Sequence, residues 1–273
     1  MGENVLKFGT YVRVGNAAEA YELLQKNRNN KIVGGGIWMR LGSRRVATAI
    51  DLSACGLDQI EETETEFRIG AMCTLRQLER HAGLNALVNN VFEFAVHDIV
   101  GVQLRNTATV GGSIYGRFGF SDVLTLFLAL DAQVKLFKGG VLPLREFLDR
   151  EEDGDILLSV LVKKGQTFAA YESMRNEAVD FPVLTAAVCL RDGQFTVSVG
   201  ARPGKARAYS VPETELSGEV DQRDEAVKAL TEKFTYGTNM RASAEYRKYL
   251  AGVLVSRCLN RIEADRKEET SWN

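Results

Sequence analysis

Two glycine-rich stretches constrain more than any other feature how this chain of 273 residues can fold. The first is Val33-Gly34-Gly35-Gly36-Ile37, which continues the short apolar segment Lys31-Ile32-Val33, and the second is Thr109-Val110-Gly111-Gly112-Ser113-Ile114. Consecutive glycines let the backbone approach a ligand closely and expose successive N–H groups, which together bind phosphate oxygens. One such stretch would favour a structural turn, but two of them, with Asp122 soon after the second, indicate a ligand with two phosphates and a ribose.

Several common kinds of active site do not fit the sequence. Neither stretch has the G-x-G-x-x-G spacing of a Rossmann site within a strand–helix unit, and the G-x-x-x-x-G-K-[ST] pattern of a P-loop does not occur. The four cysteines are far apart and neither histidine has a second ligand close by, so we assign no metal-ligating residue. Because no Ser/His/Asp arrangement is present either, we assign no catalytic residue and expect a bound cofactor to carry any chemistry.

The composition is that of an ordinary soluble protein. Hydrophobic residues make up 45% and charged residues 26% of the chain, and the formal net charge is −2. This charge does not favour a nucleic acid or an anionic membrane as a partner. No apolar run reaches the roughly 20 residues that span a bilayer, and the first residues do not resemble a signal peptide. We therefore expect a cytoplasmic protein.

Local patterns predict both helices and strands. Asn16 with Glu19, and Thr74 with Gln77, have the spacing of capping boxes and predict two helix starts. Apolar residues between positions 84 and 95 recur at helical spacing and predict one helix with a buried face. The other elements predicted in this part are a helix at 123–130 and strands at 31–33, 46–52, 67–71, 133–137 and 156–162.

The last third of the chain has a different pattern. Asp192-Gly193 lies between apolar segments at 183–190 and 195–199 and predicts a β-hairpin. Phe195, Val197 and Val199 alternate with polar residues, which predicts a strand with one buried face. Ser243 is expected to cap a final helix. We place a domain boundary near residue 165, so that residues 1–165 form one domain and 166–273 a second, smaller one.

A series of motifs runs in one order along nearly the whole chain. Its members are Lys31-Ile32-Val33-Gly34-Gly35-Gly36, Ile50-Asp51-Leu52, Phe67-Arg68-Ile69-Gly70-Ala71 with Thr74-Leu75, Gln103-Leu104-Arg105-Asn106-Thr107-Ala108-Thr109-Val110-Gly111-Gly112-Ser113-Ile114, Ser121-Asp122, Leu128-Ala129-Leu130-Asp131-Ala132, Ile156-Leu157-Leu158-Ser159 and Arg241-Ala242-Ser243-Ala244-Glu245-Tyr246-Arg247. The series resembles the motifs of the FAD-binding (medium) subunits of the molybdenum hydroxylase family, of the xanthine dehydrogenase and carbon monoxide dehydrogenase type.

The resemblance implies a chain of the α+β class with a two-lobed FAD-binding domain like that of vanillyl-alcohol oxidase, also called PCMH-type. The lobes would lie at about 1–55 and 56–165. A small C-terminal domain with an antiparallel sheet and helices would follow it. The glycine-rich stretches would contact the pyrophosphate and adjoining parts of FAD, Asp122 would bind ribitol or ribose hydroxyls, and Arg175 would lie near the flavin. The cofactor-binding residues implied in this way are Ile32, Val33, Gly34, Gly35, Gly36, Ile37, Trp38, Ile99, Thr109, Gly111, Gly112, Ser113, Ile114, Asp122, Leu157 and Arg175.

The chain departs from the family pattern at two places. Gly36-Ile37 stands where the family usually has Thr or Ser followed by Asp or Asn, and Ser113 stands where Asn is common. We expect FAD still to bind, more weakly, because both changes keep the backbone donors.

Other residues keep two interpretations. Trp38 could belong to the core or lie beside the adenine, and Asp122 is expected both to cap the following helix and to bind the cofactor. Arg105 and Asn106 could be structural or ligands. The basic residues Arg40, Arg44 and Arg45 could face phosphates or a partner subunit, although a solvated loop is the commoner outcome.

By resemblance, the function is electron transfer within a molybdenum-dependent hydroxylase complex. Electrons would come from molybdenum on a large partner subunit, pass through [2Fe-2S] clusters of a small partner subunit to non-covalently bound FAD, and leave to NAD or another acceptor. Two alternatives belong to other classes: a non-enzymatic assembly subunit with a degenerate FAD site, and a stand-alone flavin oxidoreductase. A covalent link to flavin would favour the second, but neither glycine-rich stretch contains His or Cys.

Overall fold

The computed structural model describes residues 6–43, 45–151 and 154–271, which form three β-sheets with helices packed on them. Arg44 lies outside the described residues. The first sheet is parallel and consists of β1 (Lys7–Arg13), β2 (Lys31–Val33) and β3 (Arg45–Asp51) in the order β1-β3-β2. Helix α1 (Ala17–Lys26) covers it, and the Asn16 side chain caps α1, as predicted, by accepting a hydrogen bond from the Glu19 amide. The predicted capping box is only half formed, because the Glu19 carboxylate accepts from the Gly15 amide instead of the Asn16 amide.

The second sheet is antiparallel and has the order β4-β5-β8-β6-β7. Its strands are β4 (Ile60–Glu62), β5 (Glu66–Gly70), β6 (Gln133–Leu136), β7 (Gly140–Pro143) and β8 (Leu157–Lys163). The helices between and after them are α2 (Leu75–Arg80), α3 (Ala82–Leu87), α4 (Val91–His97), α5 (Val102–Arg105), α6 (Val110–Tyr115), α7 (Asp122–Ala129) and α8 (Leu144–Asp149). Thr74 caps α2 through a complete capping box with Gln77, which confirms that prediction.

The single helix predicted between positions 84 and 95 is wrong. The chain forms α3 and α4 instead, and the break lies at Asn89 and Asn90, whose φ angles are 47° and 64°. Asparagine tolerates this left-handed region better than most residues, so the pair can turn the chain between two short helices. The Asn85 side chain then joins the pieces, because it donates to the Leu78 carbonyl in α2 and accepts from the Glu93 amide in α4.

The third sheet is antiparallel and has the order β12-β11-β10-β9. Its strands are β9 (Thr167–Arg175), β10 (Pro182–Arg191), β11 (Gln194–Gly200) and β12 (Arg207–Pro212), and the helices after them are α9 (Glu213–Leu216), α10 (Val220–Thr231) and α11 (Ala244–Ser271). The predicted hairpin is confirmed, with Asp192 and Gly193 at φ 51° and 70° between β10 and β11. Ser243 caps α11 by accepting from the Tyr246 amide.

The prediction that β11 buries only one face is wrong. Thr196 and Ser198 are buried as well as Phe195, Val197 and Val199. Helix α7 explains the difference, since it contacts β10 and β11 although it precedes them by more than fifty residues. All eight residues of α7 are buried, and Thr125 of this helix hydrogen-bonds Thr185 of β10 at 2.9 Å between their hydroxyl oxygens. Helix α7 therefore packs the part of the chain that forms the second sheet against the third sheet.

None of the helices in the described ranges is both long enough and apolar enough to cross a lipid bilayer.

Candidate functional site

The two glycine-rich stretches, far apart in the sequence, lie directly against each other. A Cβ placed on Gly34 would lie 2.7 Å from the hydroxyl oxygen of Thr109, and one placed on Gly35 would lie 1.8 Å from the carbonyl oxygen of Thr107. Contacts this short leave no room for a side chain. Glycine is thus required at both positions for the backbone after β2 to approach the chain before α6.

The first stretch offers a run of free backbone donors. The amide N–H groups from Gly34 to Trp38 form no hydrogen bond with an acceptor in the part of the chain that the structure describes. Gly36 has φ 68°, a left-handed conformation that suits glycine, and its carbonyl accepts from the Arg40 amide at 3.1 Å. Successive unbonded N–H groups make a concave surface that can bind the oxygens of an anion.

The second glycine-rich stretch differs from the expectation, because its first backbone amides already donate hydrogen bonds within the protein. The Val110 and Gly111 amides donate to the carbonyls of Cys73 and Ala71, both at 2.8 Å. The Gly112 amide donates to the Thr109 hydroxyl at 3.1 Å, and the Ser113 amide donates to the Thr109 carbonyl at 3.0 Å. This stretch therefore acts as the capped start of α6 and as the wall on which the first stretch rests. Direct contact of Thr109, Gly111, Gly112, Ser113 and Ile114 with a cofactor stays a prediction.

Asp122 and Arg175, both predicted site residues, form an ion pair. The Arg175 Nη2 lies 2.5 Å from Asp122 Oδ1, and the two side chains are 8% and 7% exposed. The Tyr171 hydroxyl donates to the same carboxylate oxygen. Asp122 does not cap α7, so that prediction is wrong: the cap is Ser121, whose hydroxyl accepts from the Leu124 amide at 3.1 Å.

The charge of Asp122 is set by opposing effects. Burial raises the pKa of the Asp122 carboxyl, while the Arg175 guanidinium and the Tyr171 hydroxyl act to lower it. The pKa of Tyr171 is raised well above its usual value by burial and by the neighbouring Asp122. Asp122 also begins α7, where the helix dipole favours a negative charge. The net effect raises the pKa of the Asp122 carboxyl, because burial is the largest of these causes.

An aromatic cluster of Trp38, Phe118, Phe120 and Phe181 joins the first stretch to the chain beside this ion pair. Trp38 lies 4.8 Å from Phe120 and 5.4 Å from Phe181 between ring centroids, and Phe118 stacks on Phe120 at 5.2 Å. Trp38 is 37% exposed, so it is not a core residue. The sequence reasoning missed the three phenylalanines, although Phe118-Gly119-Phe120 directly before Ser121-Asp122 was a usable signal.

The remaining predicted residues take supporting positions. Leu157 is buried in β8, and Ile32 and Ile99 are half-buried against apolar cores. Arg105 is structural: its guanidinium binds both carboxylate oxygens of buried Glu79, at 2.8 and 3.0 Å. Arg40 and Arg45 are exposed. Within the described ranges, no group of three or more His, Cys, Asp or Glu side chains is arranged to hold a metal ion.

Comparison with family models places this geometry among known proteins. Residues 6–163 match the model described as the FAD binding domain in molybdopterin dehydrogenase. Residues 169–262 match the model described as the CO dehydrogenase flavoprotein C-terminal domain.

Individual relatives cover most of the chain. The uncharacterized protein YgfM of Escherichia coli strain K12 is 25% identical over 256 residues, which are 90% of this chain and 93% of that protein. The xanthine dehydrogenase/oxidase of Gallus gallus is 25% identical over 214 residues, which are 68% of this chain and 15% of that protein.

Solved structures share the fold. A chain of the carbon monoxide dehydrogenase from Hydrogenophaga pseudoflava matches with a TM-score of 0.84 at 23% identity, over 94% of this chain and 98% of that one. A chain of quinoline 2-oxidoreductase from Pseudomonas putida 86 matches with a TM-score of 0.81 at 18% identity, over 94% and 97% of the two chains. These matches confirm the predicted fold class.

The chain belongs to the family of FAD-binding domains of molybdopterin dehydrogenases, since that model covers more than half of it. The family and the class of protein, a subunit of a flavin-dependent oxidoreductase, are those predicted from the sequence.

Proposed function

We propose that this chain binds FAD non-covalently and acts as the electron-transfer subunit of a molybdenum-dependent hydroxylase complex. The observation that carries the proposal is the run of unbonded amides from Gly34 to Trp38, held against the second glycine-rich stretch by contacts that only glycine permits. Such a run suits the pyrophosphate of a dinucleotide cofactor.

The residues present fit the cofactor in two further respects. The Nε of Arg175 is buried, donates no hydrogen bond and lies 3.9 Å from Asp98 Oδ2, so a cationic side chain with one unused donor borders the aromatic cluster. Trp38 provides a partly exposed aromatic surface directly after the free amides. Bound FAD would supply the electron-accepting chemistry, and this chain would bind the cofactor, orient it and set the electrostatic field around it.

We further propose that the electrons come from [2Fe-2S] clusters on a small partner subunit and, before that, from molybdenum on a large partner subunit. The similarity to carbon monoxide dehydrogenase and to xanthine dehydrogenase/oxidase supports this arrangement. NAD as the final acceptor and a cytoplasmic location stay predictions, as do the domain boundary near residue 165 and direct contact of Ile32, Ile99 and Leu157 with the cofactor.

The absorption spectrum of the purified chain after addition of FAD and desalting tests the proposal. We expect flavin bands that survive desalting in the wild type and are lost in Gly34→Val, whose side chain would displace Thr109. Gly15→Val is the matched control, because a Cβ at Gly15 meets nothing within 4 Å. A folded wild-type chain that retains no flavin at any FAD concentration would overturn the redox function.

Loss of flavin binding with retained assembly would favour the second candidate, a non-enzymatic subunit. The specific observation behind this candidate is Gly36-Ile37, which provides neither the hydroxyl nor the polar side chain usual at this place in the family. Co-purification of the colourless chain with molybdenum and iron–sulfur partner subunits would support this second candidate, because an unfolded or unrelated protein would not assemble with them.

A further inference from the structure

A cavity of about 370 Å³ lies between the part of the chain before residue 165 and the part after it. Helices α7 and α8 form one side of the cavity, and β12, the segment before β12 and the segment after α10 form the other. It shares no lining residue with the candidate cofactor site. Small-molecule sites are clefts of roughly 300–1,000 Å³ that often lie between domains, so the size and the place of this cavity both suit a ligand.

The inner wall of the cavity is apolar and partly aromatic. Leu128, Leu148 and Phe234 line it, and each of them is buried. The Tyr209 ring packs edge-on against Phe234, at 4.8 Å between ring centroids, and is 38% exposed. Aromatic rings pack favourably on further rings in stacked or edge-to-face arrangements, so this wall favours a ligand with an aromatic body.

Arg202 brings a buried positive charge to the same cavity. The residue is 7% exposed, and its guanidinium donates to the carbonyls of Lys205 and Thr235 and to the Thr235 hydroxyl. No carboxylate of the described residues lies within ion-pair distance of this guanidinium. Burial and the nearby Arg207 lower the pKa of Arg202. Buried charges are normally paired with an opposite charge, so an anion bound in the cavity would complete the surroundings of Arg202.

The charged side chains around the cavity leave an excess of one positive charge. Two cations are each paired with one carboxylate, Arg145 with Asp131 and Arg207 with Asp149. Two further cations are Arg202 and Lys205, whose Nζ donates to the carbonyl of the lining residue Leu148 at 2.7 Å. Against them stands one further lining carboxylate, that of exposed Glu146, which forms no ion pair with the described residues. The cavity therefore favours an anionic ligand.

A buried guanidinium without a carboxylate partner is not by itself a sign of a ligand. Arg247 is also buried and donates only to carbonyls and to an amide oxygen. Arg247, however, does not line the cavity, whereas Arg202 lines it together with Arg207. Arg207 donates through Nη1 alone, to Asp149, so most of its N–H groups are available to a ligand.

We propose that this cavity is a second ligand site, which binds a small aromatic carboxylate. The ring of the ligand packs against Phe234 and Tyr209. Its carboxylate accepts hydrogen bonds from Arg202 and Arg207, because guanidinium groups match carboxylate oxygens in geometry and form stronger hydrogen bonds with charged acceptors. Since the walls of the cavity come from both parts of the chain, the bound ligand should also raise the melting temperature.

Isothermal titration calorimetry of the full chain with benzoate tests the proposal. We expect saturable binding with a dissociation constant below about 1 mM, and the same affinity with and without added FAD. Benzamide, which has the ring without the charge, and acetate, which has the charge without the ring, should each bind at least roughly tenfold more weakly. The absence of benzoate binding at millimolar concentration would overturn the proposal, and so would equal affinities for the three compounds.

Variants of the lining residues locate the bound benzoate. Arg207→Met removes an exposed guanidinium and should weaken binding roughly tenfold, whereas Ala208→Phe fills the cavity and should abolish binding. Arg68→Met is the matched control, because it removes a comparably exposed, ion-paired guanidinium away from the cavity and should leave the affinity unchanged. Melting temperatures without ligand show whether each variant folds, and Arg207→Met decides if Ala208→Phe does not. Wild-type affinity in Arg207→Met would place benzoate elsewhere on the protein and overturn the proposal.

Discussion

The backbone of Gly35 lies so close to Thr107 that a methyl group on Gly35 would be 1.8 Å from the Thr107 carbonyl oxygen. This contact holds the free-amide stretch after β2 against the chain before α6. The distance is far below any van der Waals contact, so one of the two backbones must move if Gly35 gains a side chain.

Gly35→Ala should therefore disrupt the site more than its small size suggests. We expect a loss of about 1–3 kcal/mol in the free energy of unfolding, as for other overpacked positions. FAD binding should weaken at least roughly tenfold because the amides lose their arrangement. Urea denaturation and flavin titration measure the two effects. Gly15→Ala is the control, and equal behaviour of the two variants would show that the contact is unimportant.

Arg247 is expected to be a major determinant of stability in the C-terminal part. It is 1% exposed and donates to the carbonyls of Val183, Gly237 and Ala242 and to Asn239 Oδ1, at 2.6–2.9 Å. Arg247→Met removes these four hydrogen bonds, including the one to the carbonyl of buried Val183, and should cost about 2–4 kcal/mol. Lys248→Met, which removes an exposed ion pair with Glu232, should change stability by less than about 1 kcal/mol. Equal losses in the two variants would contradict this assignment.

Gly252 offers a stabilising substitution. It lies inside α11, and a Cβ there would meet nothing within 4 Å outside the helix's own backbone and its chain neighbours. Alanine favours the helical backbone over glycine by about 0.5–1 kcal/mol, so Gly252→Ala should raise the unfolding free energy by that amount. Thermal denaturation provides the measurement, and a lower melting temperature in Gly252→Ala than in the wild type would contradict the prediction. FAD binding should stay unchanged.

One of the four thiols should be accessible to a thiol reagent, and the other three should be protected. Cys55 is half-buried, whereas Cys73, Cys189 and Cys258 are buried. Burial raises the pKa of Cys73 to about 11, which further lowers its fraction of reactive thiolate. An aromatic disulfide reagent should modify one thiol per chain in the native protein and all four after denaturation. Rapid modification of a thiol in the native Cys55→Ser variant would contradict the assignment of Cys55 as the accessible thiol.

Alkaline pH should destabilise the fold through Cys189. Burial raises its thiol pKa from 9.0 to about 12, so the folded protein keeps a proton that the unfolded chain releases. Stability from this group is complete below pH 9 and falls as the pH rises toward 12, by at most about 1.4 kcal/mol per pH unit. Chemical denaturation at several pH values should show that the free energy of unfolding falls less steeply with pH in Cys189→Ala than in the wild type.

Features that depend on neighbouring residues were predictable from the sequence. The helix cap at Asn16, the capping box at Thr74 and the hairpin at Asp192-Gly193 each involve a few consecutive residues, and the structure has all three. The family was predictable because its motifs recur in order along the chain. The helix break at Asn89 and Asn90 was missed because the apolar spacing continues across it, and spacing alone does not report backbone turns.

Features that depend on distant packing were not predictable. The two glycine-rich stretches look alike in sequence, yet only the second has its first amides bonded, because the carbonyls of Ala71 and Cys73 reach it from another segment. The burial of both faces of β11 likewise depends on where α7 packs. The meeting of Asp122 with Arg175 follows from that same placement.

Helix α7 has a consequence for how the protein can be divided. It precedes the predicted boundary near residue 165, yet its eight buried residues pack against strands that follow this boundary. A fragment ending at the boundary would expose this largely apolar surface to water, and a fragment beginning there would leave one side of β10 and β11 uncovered. We therefore expect the segments before and after residue 165 to unfold together as a single thermodynamic unit.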